Sequence, residues 1–410
     1  MQFSANLPFD IELLPKPVYV VGGAVRDALL GRVRAELDLD LVIATHAVAV
    51  ARQLAGKYQA GFVLLDAERQ IARVVFPGMT VDIAQQDGEN IIKDLARRDY
   101  TLNAIAYDLQ TQQSIDPFSG TQDIQERTIR MVSKENLIDD PLRLLRAYRQ
   151  GAQLNFTIES ATRDAIRELA PLLTTVAAER VLAELRYLLQ TAASSQWLVA
   201  LVTDGLLAGW LELPVSADVE DRLRRFDRAM ELIKQSYPAL DRELGLTLRN
   251  TISSERRSLG KFTLLLSPDL NLATAQMLRL KLSLIEIKVV QTLITYSPQL
   301  LGEKLSLREQ YFWFQSVGNN FSLLLAIALT NGVELFNLQY LIDRYLDPES
   351  QVAHPTPLIS GHELMQSLSL PPSPTIGKLL TEIQVARITE NIKTTAEAIE
   401  FATKFLKSLD

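Results

Sequence analysis

Two kinds of apolar patterning divide the chain. Through about residue 85 the apolar positions fall in short β-branched runs, VYVV (18–21), DLDLVI (38–43), GFVLLD, IARVVFP and MTVDIA, separated by turn signals. One segment among them, THAVAVARQLAGKY, has helical spacing instead. The pattern predicts a mixed five-stranded sheet with helices. From about residue 190 onward the spacing is helical throughout, in Leu-rich amphipathic segments, with a Pro-rich break at 352–360. The fold class expected is therefore α+β: a mixed-sheet head over 1–130, then helical segments over 131–190, 191–350 and 351–410. No internal repeat and no low-complexity segment is present.

Composition narrows the picture only slightly. At 410 residues the chain is long enough for two to four domains. The absence of cysteine excludes disulfides, thiol catalysis and cysteine zinc sites. Three widely spaced histidines, His46, His354 and His362, argue against a histidine metal centre. No window reads as the uninterrupted apolar stretch of a membrane span, and MQFSANLPFDIELL lacks a basic start and an apolar signal core. The expectation is a cytoplasmic protein without a membrane partner. A net charge of −7 argues weakly against nucleic acid, but binding needs only a local basic surface.

Chemistry concentrates near the start. After Val18–Val21 come Gly22 and Gly23, then AVRDALL: strand, glycine turn, helix start. Adjacent glycines let the backbone approach a ligand and leave N–H groups at a positive helix end, which suits phosphate. Asp38 and Asp40 are one residue apart on a strand, so both carboxylates share a face and repel unless a cation lies between them. Asp82, in the last strand run, is a candidate third carboxylate. RRDYTLNAIAYDL reads as a helix start carrying Arg97, Arg98, Asp99 and Asn103. Two arginines there oppose the helix dipole, so the position needs a functional reason.

In DDPLRLLRAYRQ, Asp140 before Pro141 reads as an N-cap followed by proline at the first helical position. Arg143, Arg146 and Arg149 share one side of that helix, with Leu144, Leu145 and Tyr148 opposite. No acidic residue is interleaved, so the arginines repel one another unless an anion lies against them. In VAAERVLAEL, Glu179 and Arg180 are expected to buttress the preceding helix. The basic clusters RLRR (222–225) and ERRSLGK (255–261) suit either a phosphate backbone or a solvated helix face. Near the C-terminus, PPSPTIGK opens a helix whose free N–H groups, with Lys378, would suit one phosphate.

Gly-Gly-x-x-Arg-Asp followed closely by Asp-x-Asp resembles the opening motif of class II tRNA nucleotidyltransferases and bacterial poly(A) polymerases, within the polymerase-β-like superfamily. RRDYTLNA, DPFSGTQDI and DDPLRLLR resemble further motifs of that family, and VAAERVLAEL another, with Ala177 where Ser is usual. The resemblance is strong over 18–190, moderate over the last 55 or so residues, and faint between. The spacing from Arg26 to Asp38 is slightly longer than usual, and Asp139 replaces the usual Glu.

The resemblance implies template-independent transfer of a nucleotide to an RNA 3′ hydroxyl, with tRNA as partner and no DNA. Asp38 and Asp40 would hold Mg²⁺ in a two-metal arrangement, and Asp82 would take the proton of the attacking hydroxyl. Gly22, Gly23, Arg26, Arg97, Arg98, Asp99 and Asn103 would bind the triphosphate and ribose, with Arg146 and Arg149 also in the nucleotide site. Asp140 and Arg143 would read the base: a pure acceptor beside a pure donor matches cytosine or adenine and rejects guanine or uracil, by roughly 1–3 kcal/mol per mismatched pair. The segment between Asp82 and Arg98, QQDGENIIKDLA, is short where relatives that build the whole CCA end carry a longer flexible loop. A CC-adding enzyme using CTP is therefore expected, with a separate A-adding enzyme acting after it. The alternatives are a full CCA-adding enzyme also using ATP, an A-adding enzyme, a poly(A) polymerase, or a non-catalytic RNA-binding protein.

Overall fold

The computed structural model describes residues 7–32, 37–212, 216–248, 255–389 and 392–408. The slightly long link between Arg26 and Asp38 runs through 33–36, which lie outside the described residues. The chain forms two compact units, Met1–Trp210 and Leu211–Asp410.

The first unit is built on one mixed sheet. Its strands are β1 (Val18–Val21), β2 (Leu37–Ile43), β3 (Gly61–Asp66), β4 (Ile71–Phe76), β5 (Met79–Gln85), β6 (Ala106–Asp108) and β7 (Ser114–Ile115), ordered β3-β4-β5-β2-β1-β6-β7. Among the described residues of this sheet only β2 and β5 run parallel, and its other pairs are antiparallel. The five expected strands are present, and β6 and β7 are added. At three and two residues these two are too short to carry a periodic signal.

Period-two alternation decides the two faces. Leu39, Leu41 and Ile43 of β2 lie in register with, or beside, Val81 and Ile83 of β5, and these pair with Val74 and Ala72 of β4. All are buried, and α2 (Ala47–Tyr58) packs across β3, β4 and β5. The intervening residues, Asp38, Asp40 and Val42 on β2 with Thr80, Asp82 and Ala84 on β5, turn to the other face. Burying one face at about 25 cal/mol per Å² holds this register, because a one-residue slip would turn the aspartates into the buried face.

Further helices complete the unit: α1 (Gly23–Leu29), α3 (Ile91–Ala96), α4 (Gly120–Gln125), α5 (Lys134–Asp139), α6 (Leu142–Leu154), α7 (Ser160–Leu169), α8 (Ala178–Leu189) and α9 (Ser194–Thr203). The DPFSG turn has a structural job. Asp116 accepts from the N–H groups of Gly120 (2.7 Å) and Thr121 (2.8 Å), and Asp123 accepts from Thr101 (2.6 Å). A side chain at Gly120 would meet the Thr101 carbonyl at 2.2 Å, so only glycine seats α4 there. On α6, Leu144, Leu145 and Tyr148 are buried as expected.

The second unit is helical from Ser216–Ser236 to Thr395–Lys407. Leu307–Thr330 corrects one expectation: by length and composition this run is apolar enough to cross a membrane. It is mostly buried and breaks at Gly318–Asn320 into two helices, Leu307–Val317 and Phe321–Thr330, so it serves as core. The basic clusters are largely paired internally. Arg225 meets Asp221 (2.8 Å), Arg257 meets Asp241 (3.3 Å) and Lys261 meets Asp227 (2.8 Å). Ile359, Leu364, Ile376, Leu379, Ile383, Ala398 and Ala402 form a separate small core near the C-terminus.

Candidate active site

One cavity of about 940 Å³ in the first unit gathers most of the predicted residues. Gly22, Gly23, Arg26, Asp38, Asp40, Arg97, Arg98, Asp99, Asn103, Asp140, Arg143, Arg146 and Arg149 all line it. Lys378 does not: it is exposed on the helix Pro374–Thr389 of the second unit. Asp82 sits beside the cavity rather than in its lining.

The glycine turn works through the sheet. Val21 lies opposite Asp40 in the β1–β2 pair, which delivers Gly22 to the carboxylates. Gly22 has φ 70°, a conformation that glycine adopts without strain, and it is the N-cap of α1. A side chain there would come within 3.2 Å of Asp40 Oδ2 and 3.1 Å of Arg98 Nη1. Arg98 therefore stands beside Asp40, and donates to Asp94 at 3.3 Å.

Burial pushes the Asp40 carboxyl above its usual range; Arg98 pulls it down, while Asp82 and Asp38 push it further up. Asp38 is exposed and accepts from the Thr80 hydroxyl. Both aspartates offer hard carboxylate oxygens on the sheet face bordering the cavity. This donor set fits Mg²⁺, which is bound through one or two carboxylates plus substrate oxygens. Among the described residues no group of three or more His, Cys, Asp or Glu could hold a metal. Asp82 is otherwise engaged: Arg73 grips it in a two-pronged pair at 2.7 and 2.8 Å.

Behind the cavity a buried chain of hydrogen bonds links α1 to α6. Arg26 donates to Asn103 Oδ1 at 2.8 Å; Asn103 donates to Asp99 (2.9 Å) and to Gln150 (3.0 Å); and Arg146 pairs with Asp99 at 3.0 Å. Burial alone would raise the Asp99 carboxyl, but Arg146, Asn103 and the Tyr100 N–H outweigh it and hold it below the usual range. Asp99 in turn raises Arg146. Asp99 and Asn103 thus act inside this network as links between elements.

Two expectations are corrected here. Arg97 and Arg98 stand at the C-terminal end of α3, not at a helix start, so the dipole favours them and gives no separate reason for their presence. Arg97 is paired with Asp87. The arginines of α6 do have acidic partners, brought from elsewhere in the chain: Asp99 for Arg146, and Glu184 of α8 for Arg149 at 2.5 Å. Arg143 donates to the Asn136 carbonyl at 2.8 Å, and the Tyr100 hydroxyl donates to the Arg143 carbonyl at 2.6 Å. Burial lowers the Arg143 guanidinium, against the pull of Asp99 and Asp140.

Asp140 closes α5 and Pro141 takes the N-cap position of α6, one residue later than expected; the Asp140 carboxylate still accepts from the Leu142 N–H at 3.4 Å and its carbonyl from the Arg143 N–H at 3.0 Å. Arg180 of α8 holds its other carboxylate oxygen at 3.0 Å. Arg180 and Gln150 line the cavity, and Glu184 supports it through Arg149; none of the three stands out as a site residue in the sequence. The four-residue step from Arg180 to Glu184 places both on one face of α8, a signal that would have found the pair.

Three family models match the chain: a poly A polymerase head domain over residues 18–90 and 81–130, a probable RNA and SrmB-binding site of polymerase A over 155–215, and a putative tRNA nucleotidyltransferase domain 2 over 251–402. A CC-adding tRNA nucleotidyltransferase of Synechocystis is 43% identical over 98% of this chain and 97% of its own. An A-adding tRNA nucleotidyltransferase of Deinococcus radiodurans is 31% identical over 95% and 96%. In fold, the chain is similar to a Thermotoga maritima CCA-adding enzyme complexed with tRNA, with a TM-score of 0.70 and 22% identity over 96% of this chain and 92% of that one. A CCA-adding enzyme with ATP matches at a TM-score of 0.74 and 22% identity over the same shares.

Proposed function

The chain belongs to the tRNA nucleotidyltransferase family, and from that premise we propose that it is a CC-adding member, transferring C residues from CTP to the 3′ end of tRNA. The observation that carries this choice is the tightness of the link between β5 and α3. Only residues 86–90 separate them, and the link is tied at both ends. Asp87 accepts from Arg97 and gives its N–H to Asp94 at 3.1 Å, while Gln86 donates to the Gly88 carbonyl at 3.1 Å. A fastened link leaves Asp140 and Arg143 in one geometry, suited to one base. The CC-adding name of the Synechocystis relative supports the same choice.

In this reading the N–H groups at Gly22 and Gly23 with Arg26, Arg97 and Arg98 hold the triphosphate. Asp140 accepts the cytosine amine and Arg143 donates to its ring nitrogen. Asp38 and Asp40 would hold Mg²⁺, which when bound supplies the positive charge that acidifies the RNA hydroxyl and neutralises departing pyrophosphate. Asp82, beside Asp40 in the parallel β2–β5 pair, would receive the proton of that hydroxyl on a lone pair outside its fork with Arg73. Lys378 would take an RNA phosphate. The work belongs in the cytoplasm with its tRNA, and a separate A-adding enzyme would finish the end.

A full CCA-adding enzyme is the runner-up, because the Asp140–Arg143 pair also matches adenine. Trimmed tRNA given CTP and ATP together separates the two. A product ending in CC is expected; one ending in CCA sinks the choice while leaving the family untouched.

A further inference from the structure

The residues beyond Asp82 on the same sheet face have no part in the reading so far. Register places Asp40, Asp82, Arg73 and Val63 in one row across β2, β5, β4 and β3, all pointing the same way. Val75 follows two residues after Arg73 on that face. The opposite face of these strands is packed under α2, with Ala72 and Val74 fully buried, whereas Val63 and Val75 remain 46% and 39% exposed. Arg73 commits Nε and Nη2 to Asp82 and its side chain is still 41% exposed. Its Nη1 makes no hydrogen bond or ion pair among the described residues. The row therefore runs from carboxylate to carboxylate to a fixed cation to an uncovered apolar shelf.

Sheet order says which substrate meets this shelf. The glycine turn follows β1 and Arg98 stands beside it, so the triphosphate cations lie on the β1 side of Asp40. Arg73 lies on β4, on the other side of the same carboxylates. In-line displacement puts the attacking oxygen and the leaving group on opposite sides of the phosphorus. With pyrophosphate leaving toward β1, the hydroxyl arrives from β4.

We propose that Arg73, with Val63 and Val75, forms the subsite for the terminal nucleotide of the RNA acceptor: Arg73 Nη1 donates to its phosphodiester, and the two valines support its sugar and base. The inference rests on the nucleotidyltransferase reading and names a contact of that same site. Asp82 aims Arg73 by taking both prongs of one edge of the guanidinium, leaving the other edge for the phosphate.

Steady-state kinetics on the full chain test it, varying trimmed tRNA and CTP separately. Arg73→Gln is expected to raise KM for tRNA about 5–10-fold, to leave KM for CTP within about 2-fold, and to lower the slope of log KM for tRNA against log salt by about one. Val63→Asp, at an exposed edge position where folding is undisturbed, is expected to raise the same KM by repelling phosphate. Val63→Lys is expected to lower it. An active wild type whose KM for tRNA is unmoved by Arg73→Gln and by both Val63 variants overturns the subsite alone. So does an effect confined to CTP. A wild type that adds nothing to any trimmed tRNA overturns the nucleotidyltransferase reading, and the subsite with it.

Discussion

The two units bury polar groups for different purposes. In Met1–Trp210 the buried polar residues include charges joined to one another across the fold. Arg26, Asp27, Asp99 and Asn103 are nearly inaccessible and stand behind a cavity lined by arginines and aspartates. Asp204 is likewise buried, accepting from Tyr148 (2.6 Å), Arg163 (2.6 Å) and Arg167 (2.7 Å), and so anchors the far side of α6. In Leu211–Asp410 the buried polar groups are mostly neutral and bond to nearby backbone or cap helices. Glu286 closes the capping box of Ser283, and Thr330 bonds back to the Ala326 carbonyl. Among the described residues each charged pair there keeps at least one side chain well exposed. A buried charge network costs desolvation that is recovered only when every partner is in place, so it holds one geometry. A leucine-packed bundle needs only shape, and its polar surface can change freely.

The sharpest way to press that contrast is to remove the carboxylates that the first unit leaves without a dedicated cation. Asp40→Ala or Asp38→Ala is expected to abolish C incorporation with Mg²⁺, and near-normal turnover would refute the metal assignment. Asp40→Ala is also expected to hold or raise the melting temperature of the metal-free protein. The sign follows from linkage: a carboxyl raised in the folded state binds more protons there than when unfolded, so its contribution to stability falls as pH rises between the two pKa values. At neutral pH its removal relieves that penalty. A lower melting temperature at pH 7, with none of that fall in the wild type, would contradict it.

Next in size is the network itself. Asp99→Asn keeps the shape but strips Arg146 of its countercharge, and should cost about 2–4 kcal/mol in urea unfolding. A loss below about 0.5 kcal/mol, the range of ordinary surface substitutions, would show that the network is not holding the unit. Arg143→Ala should act on choice rather than on folding. Incorporation of UTP relative to CTP is expected to rise about 10-fold or more, in line with the loss of one base contact. An unchanged ratio with weaker tRNA binding would move Arg143 from base to RNA. The smallest effect is expected in the second unit. Asp221→Ala frees Arg224 and Arg225 at the surface, and the melting temperature should stay the same within error. A clear drop would erase the distinction between the units.

Within one element, sequence alone determined a good deal. β-branched runs and turn signals marked the five longer strands, and one-residue spacing put Asp38 and Asp40 on a common face whatever the rest of the fold. Even the Arg73–Asp82 pair was legible. Pro77 and Gly78 are the only residues between Phe76 and Met79, so the hairpin register sets Arg73 opposite Asp82. Tertiary structure decided which charges neutralise which. Asp99 reaches Arg146, Glu184 reaches Arg149 and Arg180 reaches Asp140 across gaps in sequence that no local period spans. It also decided that Arg97 and Arg98 close a helix rather than open one, and that the apolar run at Leu307–Thr330 folds into a core. Periodicity reports which face of an element is apolar, but the partner of a charge depends on the packing of elements distant in sequence.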